Sequence, residues 1–226
     1  MVALTLAAVF ACKINTDVKQ PVAIEIRLPD SGRVELTDTF RPSARALNGL
    51  GDSVAAQFVW SSLDTTIIAV LDTTTGATLP KVVGAGRLQA RTGNLFSNPQ
   101  IVTVLARLDS IRALGATRDT VVVTPVPPAT LADSLSDSLQ VQAYAFGGIP
   151  SNRRVVYVAT TFPASDSTVT LLPHDSVLTS TAGVAFARVK LRRGPVPDSV
   201  VVTATMRRLD GTVVPDSVTF VVEFRP

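Results

Sequence analysis

Cysteine occurs once in this 226-residue chain, at Cys12, and histidine once, at His174. A single cysteine cannot close an internal disulfide, so the fold must rest on its hydrophobic core. A single histidine, set in the turn-like "LPHDS", gives His-based triads and metal sites only one exposed ring to work with. No HExxH, GxSxG or phosphate-binding loop is present, and "GAGRLQ" (84–89) lacks both the third glycine and a following helix. No DxDxDG run supports calcium. Lys and Glu, the usual fillers of helix surfaces, are scarce, and no run after residue 13 has helical period. The carboxylates are mainly Asp in Asp-Ser and Asp-Thr steps (Asp52, Asp119, Asp137, Asp198, Asp216), a spacing that marks turns and strand starts rather than an acid–base pair. The expectation is a protein that is not an enzyme, with no cofactor and no metal site.

Charge narrows the partners further. The formal balance is +3, from 17 Arg and 4 Lys against 18 acidic residues. So small an excess, without interleaved aromatics, does not predict nucleic-acid binding. Local basic clusters are confined to Arg153-Arg154, Arg192-Arg193 and Arg207-Arg208, the last two beside Asp-containing turns. They are expected to be solvated strand ends, with an anionic lipid or an acidic partner surface as the other reading.

Residues 1–12, "MVALTLAAVFAC", are apolar apart from Thr5. A helix of that length reaches about half-way through the hydrocarbon of a bilayer, so it cannot span alone. It suits the apolar region of a secretory signal. Val9-Phe10-Ala11-Cys12 resembles a bacterial lipobox, which implies Cys12 as a lipid-attachment site and Lys13 as a residue favouring outer-membrane sorting. The other reading is an uncleaved apolar anchor in which Cys12 is an inert small hydrophobe. Residues 14–20 are polar and read as a tether, so 1–20 form a signal or lipid-anchor segment with its tether.

What the chain has in abundance is Val and Thr, whose stiff β-branched side chains suit a pleated surface. Short strand-like runs are separated by turn signals roughly every 8 to 12 residues, the pattern of a sandwich. Residues 21–124 form a first domain. Within it, Trp60, Ser61, Ser62, Asp64, Ile68-Ala69-Val70, Gly76, Gly84, Gly86 and Ala90 resemble the group 2 bacterial Ig-like domain of invasin- and intimin-type surface proteins. The strand "DTVVVTP" (119–125) either extends this domain or pairs at its edge. Residues 125–132, rich in proline, read as an extended linker. In 133–226, Gly147, Gly148, Pro150, Val156, Val158, Thr181, Gly183, Ala185, Thr203 and Ala204 resemble the group 1 bacterial Ig-like domain. The strand "DSLQVQAYAF" alternates Leu139, Val141, Ala143 and Ala145 against Gln140, Gln142, Tyr144 and Phe146; the last strand turns Val218, Phe220, Val222 and Phe224 inward. The fold class is therefore all-β: two tandem Ig-like Greek-key β-sandwiches after a short apolar segment, with Trp60, Phe220 and Phe224 in their cores.

Two such domains on an anchor point to contact rather than chemistry. The expectation is a structural or scaffolding lipoprotein, periplasmic or on the outer cell envelope and membrane-anchored. It would hold protein partners in or on a membrane, not nucleic acid, and the sequence does not favour a small-molecule ligand. One narrower form of this reading is an extrinsic subunit of a photosynthetic reaction-centre–antenna assembly. The alternative is a surface adhesin or polysaccharide-binding module, against which a scarcity of exposed aromatics is expected. Candidate contact residues lie in two loops: Asn94, Phe96 and Asn98 in one, Ile149, Asn152, Arg153 and Arg154 in the other.

Overall fold

The β-branched runs form strands along the whole of the computed structural model, and no α-helix occurs among the described residues. These are residues 19–124, 134–163 and 168–225. The apolar segment with Cys12 and the proline-rich run 125–132 lie outside them. No helix among the described residues is long and apolar enough to cross a membrane. Two separate hydrophobic cores, one around Trp60 and one around Tyr157 and Phe220, divide the strands into two β-sandwiches.

In the first sandwich, β1 (Ala23–Arg27), β3 (Ser43–Leu47) and β4 (Ser53–Val54) make one small sheet. The other runs in the order β2 (Arg33–Glu35), β10 (Gln100–Leu105), β8 (Gly84–Thr92), β5 (Val59–Ser62), with β9 (Leu95–Phe96) folded back on β8. A hairpin of β6 (Ile68–Asp72) and β7 (Ala77–Pro80) completes it.

The residues around Trp60 explain one another. Trp60 lies directly across the β5–β8 ladder from Ala90, whose small side chain leaves room for the indole. On the ring's other side a Cβ on Gly76 would fall 2.9 Å from Trp60 Cε2, and Gly76 has φ +73°, so no larger residue suits the position. The turn leaving the strand is tied by the Asp64 N–H donating to Ser62 Oγ (3.1 Å). The Asp64 carbonyl then accepts the N–H groups of Ile67 and Ile68. The Asp64 carboxylate takes the Arg87 side-chain Nε–H (2.9 Å) and backbone N–H (2.8 Å). Those bonds, the guanidinium's first, hold its pKa below the usual carboxylate range. Ile68 fills the space that a side chain on Gly86 would need. The motif is thus a core-building device.

In the second sandwich one sheet has the order β11 (Arg107–Ala113), β13 (Leu139–Phe146), β17 (Val184–Leu191), β15 (Val169–Leu172). The other has β12 (Arg118–Val122), β19 (Val218–Arg225), β18 (Ser199–Met206), β14 (Arg154–Phe162), β16 (Ser176–Leu178). β13 pairs with β17 and β14 with β18, neighbours distant in sequence as Greek-key connections require. Alternate residues of β18 and β19 face the core, including Val200, Val202, Val218, Phe220, Val222 and Phe224.

The expected boundary at residue 124 is corrected by the strand pairing. β11 pairs with β13 and β12 pairs in parallel with β19, so residues 107–122 belong to the second sandwich. The cause is burial: Leu108, Ile111, Val121 and Val123 close the second core, not the first. β10 passes into β11 through Ala106 alone, and 125–132 falls within the second sandwich's sequence rather than between the two.

Two substitutions test this packing by urea denaturation. Gly76→Ala is expected to cost about 1–3 kcal/mol through positive φ and collision with Trp60. The Tyr157 hydroxyl is buried without a hydrogen-bond partner among the described residues, and burial pushes its pKa far up. Tyr157→Phe is therefore expected to be neutral or stabilising by up to about 1 kcal/mol, and a clear loss would contradict the assignment.

Candidate functional site: the junction between the sandwiches

The junction is built from β2 and the turn after it on one side, and from the 147–153 loop and the start of β11 on the other. Glu35, at the end of β2, is 1% exposed and Arg153 is 4% exposed. Arg153 Nη2 donates to Glu35 Oε1, an ion pair between residues 118 apart in sequence. Arg153 Nη1 also reaches the carbonyl of Ala106, the connecting residue itself, at 3.5 Å. The Arg153 backbone is fixed by Thr179, whose N–H donates to its carbonyl and whose Oγ1 accepts its N–H. Around this pair, Arg107 Nη1 donates to Thr37 Oγ1 (2.9 Å) and lies 3.2 Å from Asp38 Oδ1. Leu36 packs onto Gly147, where a Cβ would fall 2.5 Å from Leu36 Cδ2.

The two candidate loops are not brought together. Asn94, Phe96 and Asn98 are exposed at the far end of β8, the opposite end of that strand from Val83, which faces Gly147 at the junction. Ile149, Asn152 and Arg154 are exposed beside the junction, whereas Arg153 is turned inward and is a structural residue rather than a contact residue. Trp60, Phe220 and Phe224 are all buried. Cys12 lies outside the described residues. Exposed His174 sits in the turn before β16, and no group of His, Cys, Asp or Glu that could hold a metal occurs among the described residues.

Two surfaces escaped the sequence reading. The first is an open groove of about 540 Å³ beside the junction, lined by Arg33 from β2 and by Arg154, Arg207 and Arg208 from the second sandwich. It joins two of the three arginine pairs with a residue from the other sandwich, a grouping visible only once the units are docked. The second is the outer face of the β11–β13–β17–β15 sheet, which carries Tyr144, Phe146 and Phe186, each exposed by 46% or more. Arg112 lies over the Tyr144 ring at 5.7 Å. With Phe96 and Phe162 also exposed, the expected scarcity of surface aromatics does not hold. Strand alternation separates two faces, but only the packed structure shows which aromatics are left outside.

No protein-family model matches the chain, and no curated protein matches it in sequence. Solved structures are similar to it only distantly. The adhesin InvE of Yersinia pseudotuberculosis is 17% identical, with a TM-score of 0.37 over 84% of this chain and 56% of that one. Domains 4 and 5 of the S-layer protein SbsC are 12% identical, with a TM-score of 0.33 over 92% of this chain and all of that one. Cadherin-like domains 1 to 4 of zebrafish RET are 11% identical, with a TM-score of 0.37 over 85% of this chain and 46% of that one. The chain thus spans just over half the length of the InvE structure it matches.

The junction makes its own prediction. Arg153→Met removes one partner of a buried pair and is expected to cost about 3–5 kcal/mol in denaturant unfolding, because Glu35 is left charged and uncompensated. Glu35→Leu together with Arg153→Met is expected to recover most of that loss. A single variant as stable as the native chain would contradict the burial.

Proposed function

We propose that this protein is a non-catalytic contact module of the cell envelope: two sandwiches held as one body that props or clamps a larger membrane-associated protein assembly. The observation that supports the reading is the buried Glu35–Arg153 pair, with Arg107–Asp38 and Leu36–Gly147 around it. A one-residue connection reinforced by a buried ion pair suits a spacer that must keep its two ends in fixed relation; a flexible tether needs neither. In this reading Cys12 carries the lipid anchor, the protein is periplasmic or on the outer envelope, and its partners are proteins in or on the membrane. The narrower assignment to a photosynthetic reaction-centre–antenna assembly rests on no residue or surface of this chain.

A second reading, an adhesin or polysaccharide-binding module, is favoured by Tyr144, Phe146 and Phe186 on one sheet face, because sugar rings stack on exposed aromatic side chains. Native gel electrophoresis of envelopes extracted in mild detergent separates the two. The contact-module reading expects migration with a much larger assembly. Migration at the protein's own mass plus detergent would contradict it and turn the search to glycans, with Tyr144→Ala and Phe186→Ala as the first variants.

A further inference from the structure

We infer that the arginine-lined groove beside the junction is the surface on which this module holds its partner, and that the partner presents an acidic protein segment, a loop or helix bearing Asp or Glu next to an apolar side chain. This rests on the contact-module reading and specifies its partner.

The electrostatics are one-sided. Arg33, Arg154, Arg207 and Arg208 line the groove, and no carboxylate does. None of the four makes an ion pair among the described residues. Arg207 and Arg208 are held in place by carbonyls instead: Arg207 Nη1 donates to Gly211 (2.9 Å) and Arg208 Nε to Leu108 (2.8 Å). Each guanidinium has five N–H donors, so both keep several for a ligand while their positions are fixed in advance. Asp210 lies near Arg208, but its oxygen accepts from Thr212.

The floor selects among anionic partners. Val156, Val158 and Leu178 form it, with Val158 and Leu178 more than half exposed, and no aromatic side chain lines the groove. No aromatic ring is present on which a sugar or a base would stack, which favours a protein partner over a glycan or a single-stranded nucleic acid. An aliphatic centre rimmed by arginine is the composition of a protein–protein contact, and the guanidinium fork matches a carboxylate bidentately. Recognition runs through side chains, the four arginines around the aliphatic floor. Arg33 comes from the first sandwich and the others from the second, so the groove is complete only while the junction is closed.

The test uses the full chain and a labelled short peptide of alternating Glu and Leu, read by fluorescence anisotropy. Its Gln-for-Glu counterpart and polygalacturonate serve as competing probes. Arg154→Gln with Arg207→Gln is expected to weaken binding about tenfold or more. Arg192→Gln with Arg193→Gln, which removes an exposed pair outside the groove, is expected to leave it within about twofold. Equal loss in both double variants would reduce the effect to net charge and overturn the site. So would equal binding of the Gln peptide, tighter binding of polygalacturonate, or no binding of the acidic peptide. The same two variants are run in the envelope native gel. Loss of co-migration in the groove variant alone supports the inference. Co-migration that survives it overturns the groove while leaving the contact-module reading intact; absence of co-migration in the native protein overturns that reading itself.

Discussion

The carboxylate of Glu35 can be buried only where a cation meets it, and the cation that does so, Arg153, comes from the other sandwich. Taking both groups out of water is expensive, and Glu35 Oε2 is left without a partner among the described residues. The pair is therefore a poor way to add stability and a good way to fix orientation: a relative rotation of the sandwiches would strand two charges in a low-dielectric contact. Arg107–Asp38 and the fit of Leu36 against Gly147 act in the same sense, one through charge at the rim and one through shape. The junction loop, the groove and the placement of Arg33 all depend on this arrangement.

Within each sandwich the constraint is different. With no disulfide, each core must be closed by side-chain volume alone. In the first, the indole of Trp60 is seated between Ala90 and Gly76, and Asp64 ties the turn to Arg87. In the second, the long strands β18 and β19 supply alternating Val, Ala, Met and Phe, and the ends of β11 and β12 complete the layer. The order of events along the chain follows: β10 finishes the first core at Val104, Ala106 turns, and Leu108 already belongs to the second.

Local pattern was enough to read strands, because the two-residue period of "LQVQAYAF" or "VTFVVEF" reports directly on a half-buried pleat. The turn chemistry around Ser62, Asp64 and Gly76 was also legible, since each of those residues acts on neighbours close in sequence or across one hairpin. Pairing over long distances was not. Alternation shows that 107–122 are strands but carries no information on which sheet accepts them, so the boundary at Ala106 is not legible in the local pattern. Arg153 reads as a loop charge destined for solvent, and only the approach of Glu35, 118 residues away, makes its burial tolerable. The groove is hidden for the same reason: Arg33 and the pairs at 153–154 and 207–208 share nothing in sequence that announces their meeting.

The surfaces divide by chemistry, with arginine around an aliphatic floor beside the junction and aromatics on the outer sheet face. Both are presented on a frame whose two halves meet at the buried Glu35–Arg153 pair. Single-molecule energy transfer between dyes at Asn94 and Arg192, with Cys12 replaced by Ser, tests that frame most directly. A single narrow distance distribution in the native background, broadened by Arg153→Met, is the predicted result. A broad or multi-peaked distribution in the native background, or a narrow one that the substitution leaves unchanged, would contradict the claim that the buried pair locks the sandwiches together.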